Sequence, residues 1–160
     1  MILDGGNCSI GVESTIIHVK VDEITLLRPG GLDIEEIENI VGAVTTPKVR
    51  TDRPLAPGQL EFHYAPQIPL KFFNDVNITD YKDKKVGALF FKKNFTQIEF
   101  SDEKILSSKG DLREAAANLF SHLHDFENKS LDIILVESID ETGLGKAIMD
   151  RLRKAANKFM

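Results

Sequence analysis

Apolar and polar positions alternate over residues 10–21, where Thr15, Ile17 and Val19 occupy every second position. A period of two is typical of a strand with one buried face. After a short acidic interruption, β-type sequence resumes at residues 24–27. The pattern therefore predicts a β-hairpin in the first part of the chain.

A turn and a helix are predicted after this hairpin. Residues 28–31 (RPGG) cannot extend the strand, because proline lacks a backbone donor and paired glycines favour turns. Asp33 is the expected N-cap of the helix, Glu36 follows three residues later, and Gly42 lies where the helix should end. The apolar face of this helix is expected to consist of Ile34, Ile37, Ile40 and Val41.

Prolines separate this region from the rest of the chain. Five of the six prolines fall within residues 45–69, a density that prevents a regular helix or a central strand. The same stretch contains Leu55, Leu60 and Phe62, so it is too apolar for a solvated tether. We expect an ordered linker that lies against a surface.

Predicted strands and helices alternate in the second half of the chain. In chain order they are strands at 70–73, 86–91, 97–100 and 105–107, a helix at 112–123, a strand at 131–137 and a helix at 143–158. Asp111 is the expected N-cap of the first of these helices, with Glu114 at the capping-box position. The near-continuous apolar run at 131–137 is typical of a strand buried on both faces. The alternation predicts a small α/β layer structure with a mainly parallel sheet.

Composition and charge narrow the class of protein. With 42% hydrophobic and 28% charged residues, the chain has the composition of a globular protein. A formal charge of −5 argues against binding of nucleic acid by bulk positive charge. No apolar run approaches the length of a membrane span, and we expect no signal peptide. The single cysteine, Cys8, cannot form an intrachain disulfide, which favours a reducing cytoplasm.

Two short blocks in the hairpin region are candidates for ligand binding. The guanidinium of Arg28 beside two glycine amides suits an anion such as phosphate, although a structural turn with a surface arginine is the alternative. Ser14 has no His-Asp arrangement near it in the sequence, so covalent catalysis is not expected. Its hydroxyl either binds a ligand or faces solvent.

The remaining motifs are weaker. Residues 143–145 (GLG) resemble half of a dinucleotide fingerprint, but Ile148 occupies the third glycine position and a tight turn is favoured. His122 and His124 point to different sides of a helix and cannot share a metal ion. The basic residues of the last helix could contact RNA or a nucleotide. We favour the alternative, in which they complement the helix dipole and keep the outer face soluble. They are Lys146, Arg151, Arg153, Lys154 and Lys158.

The order of six blocks resembles one family, the long form of threonylcarbamoyl-AMP synthase, which has a YrdC-like catalytic domain and a C-terminal Rossmann-like domain. The blocks are DGG (4–6), EST (13–15), RPGG (28–31), PG (57–58), HYAP (63–66) and GLGKAIMDRL (143–152). They span nearly the whole chain in family order, and together they are specific.

The resemblance implies an α/β fold in three parts. Residues 1–46 would be the incomplete tail of a YrdC-like catalytic domain, 47–68 a proline-rich linker, and 69–160 a small three-layer Rossmann-like accessory domain. The family's Lys/Arg-rich segment and its Ser-Ala-Asn block have no counterpart in this chain. We therefore expect a C-terminal portion that is inactive alone; a non-catalytic regulatory or nucleotide-binding module is the alternative.

For the full-length enzyme, the resemblance implies that L-threonine, bicarbonate and ATP, accompanied by Mg²⁺, give threonylcarbamoyl-AMP and pyrophosphate. The product serves the threonylcarbamoylation of an adenosine in tRNA, and direct binding of tRNA is left open. Such chemistry depends on positioning and charge stabilisation, so it needs no protein nucleophile. We expect this chain alone to bind neither ATP nor a metal ion.

The resemblance also assigns roles to four residues. Ser14 is the candidate for contacting threonine, and Arg28 is the candidate for the nucleotide phosphate. Tyr64 and His63, in the linker, would close over the ATP pocket. A two-residue hairpin loop would point Arg28 away from the face of Ser14. A longer loop or a bulge at Pro29 is therefore required.

Overall fold

The computed structural model describes residues 1, 3, 6, 8–46, 56–57, 65–93 and 95–158. Its elements, in chain order, are β1 (Ile16–Val19), β2 (Ile24–Arg28), α1 (Ile34–Val41), β3 (Leu70–Phe72), β4 (Val86–Phe90), β5 (Asp102–Ile105), α2 (Leu112–Glu127), β6 (Ile133–Val136) and α3 (Leu144–Asn157). Two 3₁₀ turns, Phe73–Asp75 and Ile78–Tyr81, connect β3 to β4. Within these described ranges, no helix combines the length and the apolarity needed to cross a membrane.

Four strands form one parallel sheet in the order β3-β6-β4-β5, which confirms the predicted α/β class. The strand predicted at 97–100 is wrong, because the strand in this region is β5 at Asp102–Ile105. β5 is an edge strand of alternating partly buried and exposed residues, so its polar sequence gives no apolar run. Phe100, which suggested the earlier strand, instead packs edge-on against Phe90 with 5.8 Å between ring centroids.

Both long helices cover the same face of this sheet. Side chains alternate along β6, so Ile134 faces α2 and α3 whereas Ile133 faces the other side. The other side is covered by the 3₁₀ turns and by a cluster of aromatic rings. These rings belong to Phe73, Phe90, Phe95 and Phe100. Covers on both faces explain why all of β6 is buried and why its sequence is continuously apolar.

Helix α2 begins at the predicted side-chain cap. The carboxylate of Asp111 accepts hydrogen bonds from the backbone N–H groups of Arg113 (2.7 Å) and Glu114 (3.0 Å). In place of the reciprocal capping-box bond, the Glu114 carboxylate accepts from the hydroxyl of Ser107. The Ser107 oxygen in turn accepts from the backbone N–H of Asp111 at 2.9 Å. The cap thus also ties α2 to the chain that leaves β5.

The hairpin and α1 enclose a much smaller apolar cluster. β1 pairs antiparallel with β2, and Leu26 packs with Ile34 and Ile37 of α1. The predicted apolar face of α1 is only partly covered, because Ile40 is 85% and Val41 44% exposed in the last turn. The reason is geometric, because a two-stranded sheet is too narrow to cover the whole helix.

The ends of α1 follow the prediction in one case and depart from it in the other. Gly42 has φ +84° and donates its N–H to the Glu38 carbonyl, which ends the helix as predicted. Asp33 occupies the N-cap position, but its side chain makes no capping bond. Its carboxylate is instead turned towards Gly143, the residue before α3. Asp33 is therefore the N-cap by position, as predicted, but it does not cap with its side chain, and its carboxylate belongs to a junction between α1 and α3.

Candidate functional site

A β-bulge brings Ser14 and Arg28 to the same side of the hairpin. Ile16 of β1 pairs with Arg28, and the register shifts by one residue at Leu27. Without this extra residue, Arg28 would pair with Thr15 and its side chain would point to the opposite face. The bulge therefore creates the contact between the EST block (13–15) and the RPGG block (28–31).

The bulge that brings Arg28 to the face of Ser14 lies at a different position from the one expected. Its loop has four residues, 20–23, and the N–H of Lys20 donates to the Glu23 carbonyl at 2.8 Å. Loop length alone would still leave Arg28 on the wrong face. The bulge at Leu27, rather than at Pro29, is what reorients the side chain.

Arg28 is a buried arginine that connects the EST block to the linker. Only 8% of its surface is exposed. Its Nε and Nη2 donate to the Ser14 carbonyl at 3.2 and 3.0 Å, and Nη2 also lies 3.3 Å from Ser14 Oγ. Its Nη1 donates to the Pro57 carbonyl at 3.2 Å. The side chain thus joins three segments of chain: β2, the segment before β1 and the PG block of the linker.

Glycine allows the RPGG block to lie directly on the EST block. A Cβ at Gly30 would overlap the backbone of Glu13 and Ser14. The N–H of Gly31 donates to the Glu13 carbonyl at 2.9 Å. The hydroxyl of Thr15 donates to the carbonyl of Leu32 and accepts from its N–H at 3.2 Å. Both blocks therefore form one hydrogen-bonded unit around Ser14.

The other two candidates, His63 and Tyr64, lie outside the described residues. Chain on both sides of them contacts the rest of the protein. Ala56 is buried, with 8% of its surface exposed. The carbonyl of Pro66 accepts from the Lys158 ammonium at 3.2 Å. The described linker residues on the two sides of His63 and Tyr64 are therefore attached, one pair near the EST block and the other near the end of α3.

Arg151 on α3 contacts the EST block from the opposite side. It is completely buried, and its Nε and Nη2 donate to Glu13 Oε2 at 3.1 and 2.8 Å. Its Nη1 donates to Asp150 Oδ2 at 2.6 Å. The interpretation of Arg151 as a cation on the outer face is wrong, because the side chain is enclosed between α3 and the segment before β1.

The sequence does indicate that Arg151 is buried, although a count of the basic residues on the helix does not. Arg151 lies seven residues after Leu144 and three after Ile148, so it shares the apolar face of the helix. A cation on an apolar face needs a carboxylate partner. The partner, Glu13, is 138 positions away and no local pattern identifies it. In contrast, Arg153 is exposed and pairs with Glu141 of the preceding loop.

The carboxyl group of Asp33 lies at the junction of α1 with α3, where its ionisation is unfavourable. Its Oδ1 is buried and has no hydrogen-bond partner among the described residues. Desolvation raises the pKa of Asp33 above its usual value, Glu36 and Glu35 raise it further, and Arg113 acts in the opposite direction. Ionised Asp33 is therefore disfavoured in the folded protein.

The GLG sequence before α3 is a close-packed turn, as favoured from the sequence. Gly143 has φ +52°, a region that side chains other than glycine rarely adopt. A Cβ at Gly145 would overlap the backbone carbonyl of Asp140. These contacts account for both glycines without a nucleotide.

Side chains of the types that commonly bind metal ions do not cluster in the described part of the chain. His122 lies 3.2 Å from the Ile105 carbonyl, and His124 contacts the carboxylate of Glu127 on its own helix. Cys8 is exposed. In the described part of the chain, no three His, Cys, Asp or Glu side chains are grouped to hold a metal ion.

Curated relatives match nearly the whole of this chain. It is 36% identical over 166 residues to the threonylcarbamoyl-AMP synthase of Bacillus subtilis (strain 168), covering 97% of this chain and 48% of the relative. The enzyme of the same name from Pyrococcus abyssi is 35% identical, with the same two coverages. That from Schizosaccharomyces pombe is 34% identical, covering 98% and 45%. The chain spans about half the length of the curated relatives it matches.

A family model and solved structures agree with these matches. Residues 32–157 match the model described as threonylcarbamoyl-AMP synthase, C-terminal domain. The crystal structure of P. abyssi Sua5 complexed with L-threonine is similar with a TM-score of 0.81 and 34% identity, covering 96% of this chain and 48% of that one. A P. abyssi Sua5 variant, in which consecutive His and Tyr residues are replaced by Ala, also gives 0.81, at 32% identity and 96% and 47% coverage.

Proposed function

We propose that this chain is the C-terminal portion of an enzyme that makes threonylcarbamoyl-AMP. The reason is that the chain belongs to the threonylcarbamoyl-AMP synthase C-terminal domain family. The full-length enzyme would join L-threonine, bicarbonate and ATP and release pyrophosphate. Its product would serve the threonylcarbamoylation of an adenosine in tRNA, which assigns the protein to tRNA processing and to the cytoplasm. This chain alone is inactive in the proposal, since it spans about half of its relatives.

The observation that carries the proposal is the contact between Ser14 and Arg28. The resemblance assigns threonine to Ser14 and the nucleotide phosphate to Arg28, and the bulge places Ser14 Oγ 3.3 Å from Arg28 Nη2. All bonds from Arg28 to described residues end on carbonyl or hydroxyl oxygens, which carry no full charge. A buried cation without a carboxylate partner in the described chain favours an anionic ligand.

The linker completes the proposed site. Arg28 holds the Pro57 carbonyl, so the chain that leads to His63 and Tyr64 starts beside the EST block. In the proposal these two side chains close over ATP. Mg²⁺ would enter with the triphosphate, whose oxygens would supply part of its ligands.

The hairpin and α1 support the assignment of residues 1–46 to a larger catalytic domain. Their buried cluster is small, and apolar side chains remain exposed on the hairpin and the helix: Val19 (62%), Val21 (99%), Ile40 (85%) and Val41 (44%). A two-stranded sheet is at best marginally stable by itself. In the proposal these surfaces pack against the remaining catalytic domain, residues 47–68 are the linker, and 69–160 are the Rossmann-like accessory domain.

A chimeric enzyme tests the proposal. In the B. subtilis relative, the part matched by this chain is replaced by residues 1–160, and pyrophosphate release is measured with L-threonine, bicarbonate and ATP. We expect release that requires all three substrates, and none from the 160-residue chain alone. Ser14→Ala in the chimera should raise the KM for L-threonine by about tenfold, because a hydrogen bond to a charged substrate is lost.

The controls separate this function from a binding module. Thr96→Ala, far from the EST block in the sequence, should leave the chimera unchanged. A soluble chimera that binds ATP but releases no pyrophosphate would instead favour the regulatory or nucleotide-binding module. Release by the isolated chain would contradict the proposal that the chain is inactive alone.

A further inference from the structure

We propose that Arg151 is a positioning residue for the threonine site, which it controls through Glu13. The proposal rests on the proposed function, since Ser14 is the residue assigned to threonine. It goes further in giving the C-terminal part of the chain a direct role at that site. Arg151 lies on α3, and Glu13 is the residue immediately before Ser14.

The contact is a two-point ion pair between a fully buried arginine and a carboxylate that is 34% exposed. Arg151 is completely buried, and two of its nitrogens reach the same oxygen of Glu13, at 3.1 and 2.8 Å. Asp150 accepts from Arg151 at 2.6 Å and from Lys154 at 2.7 Å. The cations of Arg151 and Lys154 thus face the carboxylates of Glu13 and Asp150. Removing Arg151 leaves the partly buried Glu13 carboxylate without this cation, which is expected to cost more than losing an exposed pair.

The position of Glu13 is transmitted to Ser14 by the backbone between them. The carbonyl of Glu13 is held by the N–H of Gly31 at 2.9 Å, and the carbonyl of Ser14 is held by Arg28. The ion pair of the Glu13 side chain with Arg151 therefore provides the third restraint on the peptide between Glu13 and Ser14. With Arg151 in place, the backbone that carries the Ser14 hydroxyl has a fixed position.

Packing just before Glu13 points in the same direction. Val12 is 8% exposed and belongs to the main core formed by the sheet, α2 and α3. A Cβ at Gly11 would overlap the backbone of Ala116 on α2. The segment 11–14 is therefore built into the C-terminal part of the protein, and the Arg151 ion pair is its last attachment before Ser14.

Arg153 provides a matched control on the same helix. It also binds a carboxylate through two nitrogens, with Nη1 2.8 Å from Glu141 Oε2. Its side chain is 49% exposed and its partner 43% exposed, and neither contacts the EST block. Replacing Arg153 removes a similar number of bonds and the same charge, but leaves Glu13 held.

Hydrogen exchange on the 160-residue chain tests the proposal. Arg151→Met, Arg151→Lys and Arg153→Met are compared with the unaltered chain by exchange mass spectrometry. We expect Arg151→Met to accelerate exchange about tenfold over residues 13–17, with less than a twofold change in β4 and β6. Arg151→Lys should restore part of the protection, since it keeps the charge but donates from one point. Arg153→Met should change neither region.

Kinetics of the chimera give a second readout. Arg151→Met should raise the KM for L-threonine about tenfold and the KM for ATP less than twofold. An inactive chimera would count against the proposed function, while the exchange experiment would still decide the role of Arg151. If Arg151→Met does not fold, Glu13→Gln removes the partner charge at constant size and is measured in its place. Unchanged exchange at residues 13–17, or equal acceleration throughout α3 and the sheet, would overturn the proposal.

Discussion

The two parts of the chain are held together by different interactions. Residues 65–158 have an apolar core on each face of a four-stranded sheet, and every residue of β4 and β6 is buried. Residues 8–46 have a cluster with only three buried side chains, and they rely on hydrogen bonds, close glycine contacts and two arginines. Two of the proposed ligand-binding side chains, Ser14 and Arg28, lie in this second, less apolar part.

The difference shows how an exposed site is given a fixed geometry. Hydrophobic burial orders a region without fixing the direction of any one polar group. Hydrogen bonds and ion pairs have directions, so they hold the carbonyls of Glu13 and Ser14 in defined positions. The C-terminal part therefore serves as a rigid base, and the EST and RPGG blocks take their geometry from polar contacts with it and with each other.

The largest effect is expected from removing an aromatic ring of the sheet core. Phe90 is fully buried and stacks on Phe73 with 5.3 Å between ring centroids. Phe90→Ala should lower the free energy of unfolding by about 3–5 kcal/mol, because it removes apolar contacts and leaves a cavity. Urea denaturation followed by circular dichroism measures the change.

The matched change is Phe95→Ala, in a ring of the same cluster that is 54% exposed. It should cost less than about 1 kcal/mol, since less surface is buried. We also expect Phe90→Ala to unfold both parts in one transition, because the segment 11–14 is built into the core. A separate, unshifted transition of residues 8–46 would contradict the dependence of that part on the sheet.

A change at Gly30 should disturb the polar part alone. The new Cβ of Gly30→Ala would overlap the backbone of Glu13 and Ser14, so the two blocks must separate, at a cost of about 1–3 kcal/mol. Hydrogen exchange should accelerate in residues 13–17 and remain unchanged in β6. Gly31→Ala is the control, because its closest contact would be the movable side chain of Ile10, at 3.0 Å. Equal effects of the two alanines would show that close backbone contact does not hold the blocks.

Regular periodicity predicted the apolar part of the fold well. The apolar stripe of α2, the Asp111 cap and the buried run of β6 all identified their elements. Only Ile105 of β5 falls within a predicted strand, the one at 105–107, because an edge strand has a polar sequence. The apolar face of α1 was identified, but its last turn is exposed, because periodicity shows which face is apolar and not whether anything covers it.

The site depended on features that no local pattern contains. Motif order identified Ser14 and Arg28, but the one-residue bulge at Leu27 decides that they meet. The Glu13–Arg151 pair joins residues far apart in the chain, so only the tertiary structure reveals it. Arg151 was recognisable as a cation on an apolar face, and its partner was not.

A smaller change in stability is expected from Asp33, at the junction of the two parts. The pKa of Asp33 is raised mainly by desolvation, so its contribution to stability is complete at low pH and is lost as pH rises through the folded pKa. Asp33→Asn should therefore raise the melting temperature at pH 7 by about 1–2 °C and leave it unchanged at pH 3. Thermal melts at both values measure this. A lower melting temperature at pH 7 would show that ionised Asp33 stabilises the junction.

The smallest effect is expected at the exposed end of α1, where the isolated chain and the proposed full-length enzyme should differ. Ile40 is 85% exposed, so Ile40→Lys should change the free energy of unfolding of this chain by no more than about 0.5 kcal/mol. In the chimera the same lysine should abolish pyrophosphate release, because the proposal packs this face against the rest of the catalytic domain and an unpaired charge would be buried there. Asn39→Lys adds the same charge at the neighbouring exposed residue and controls for charge alone. Full activity of the Ile40→Lys chimera would mean that this apolar face stays in water, and residues 8–46 would then not be part of a larger core.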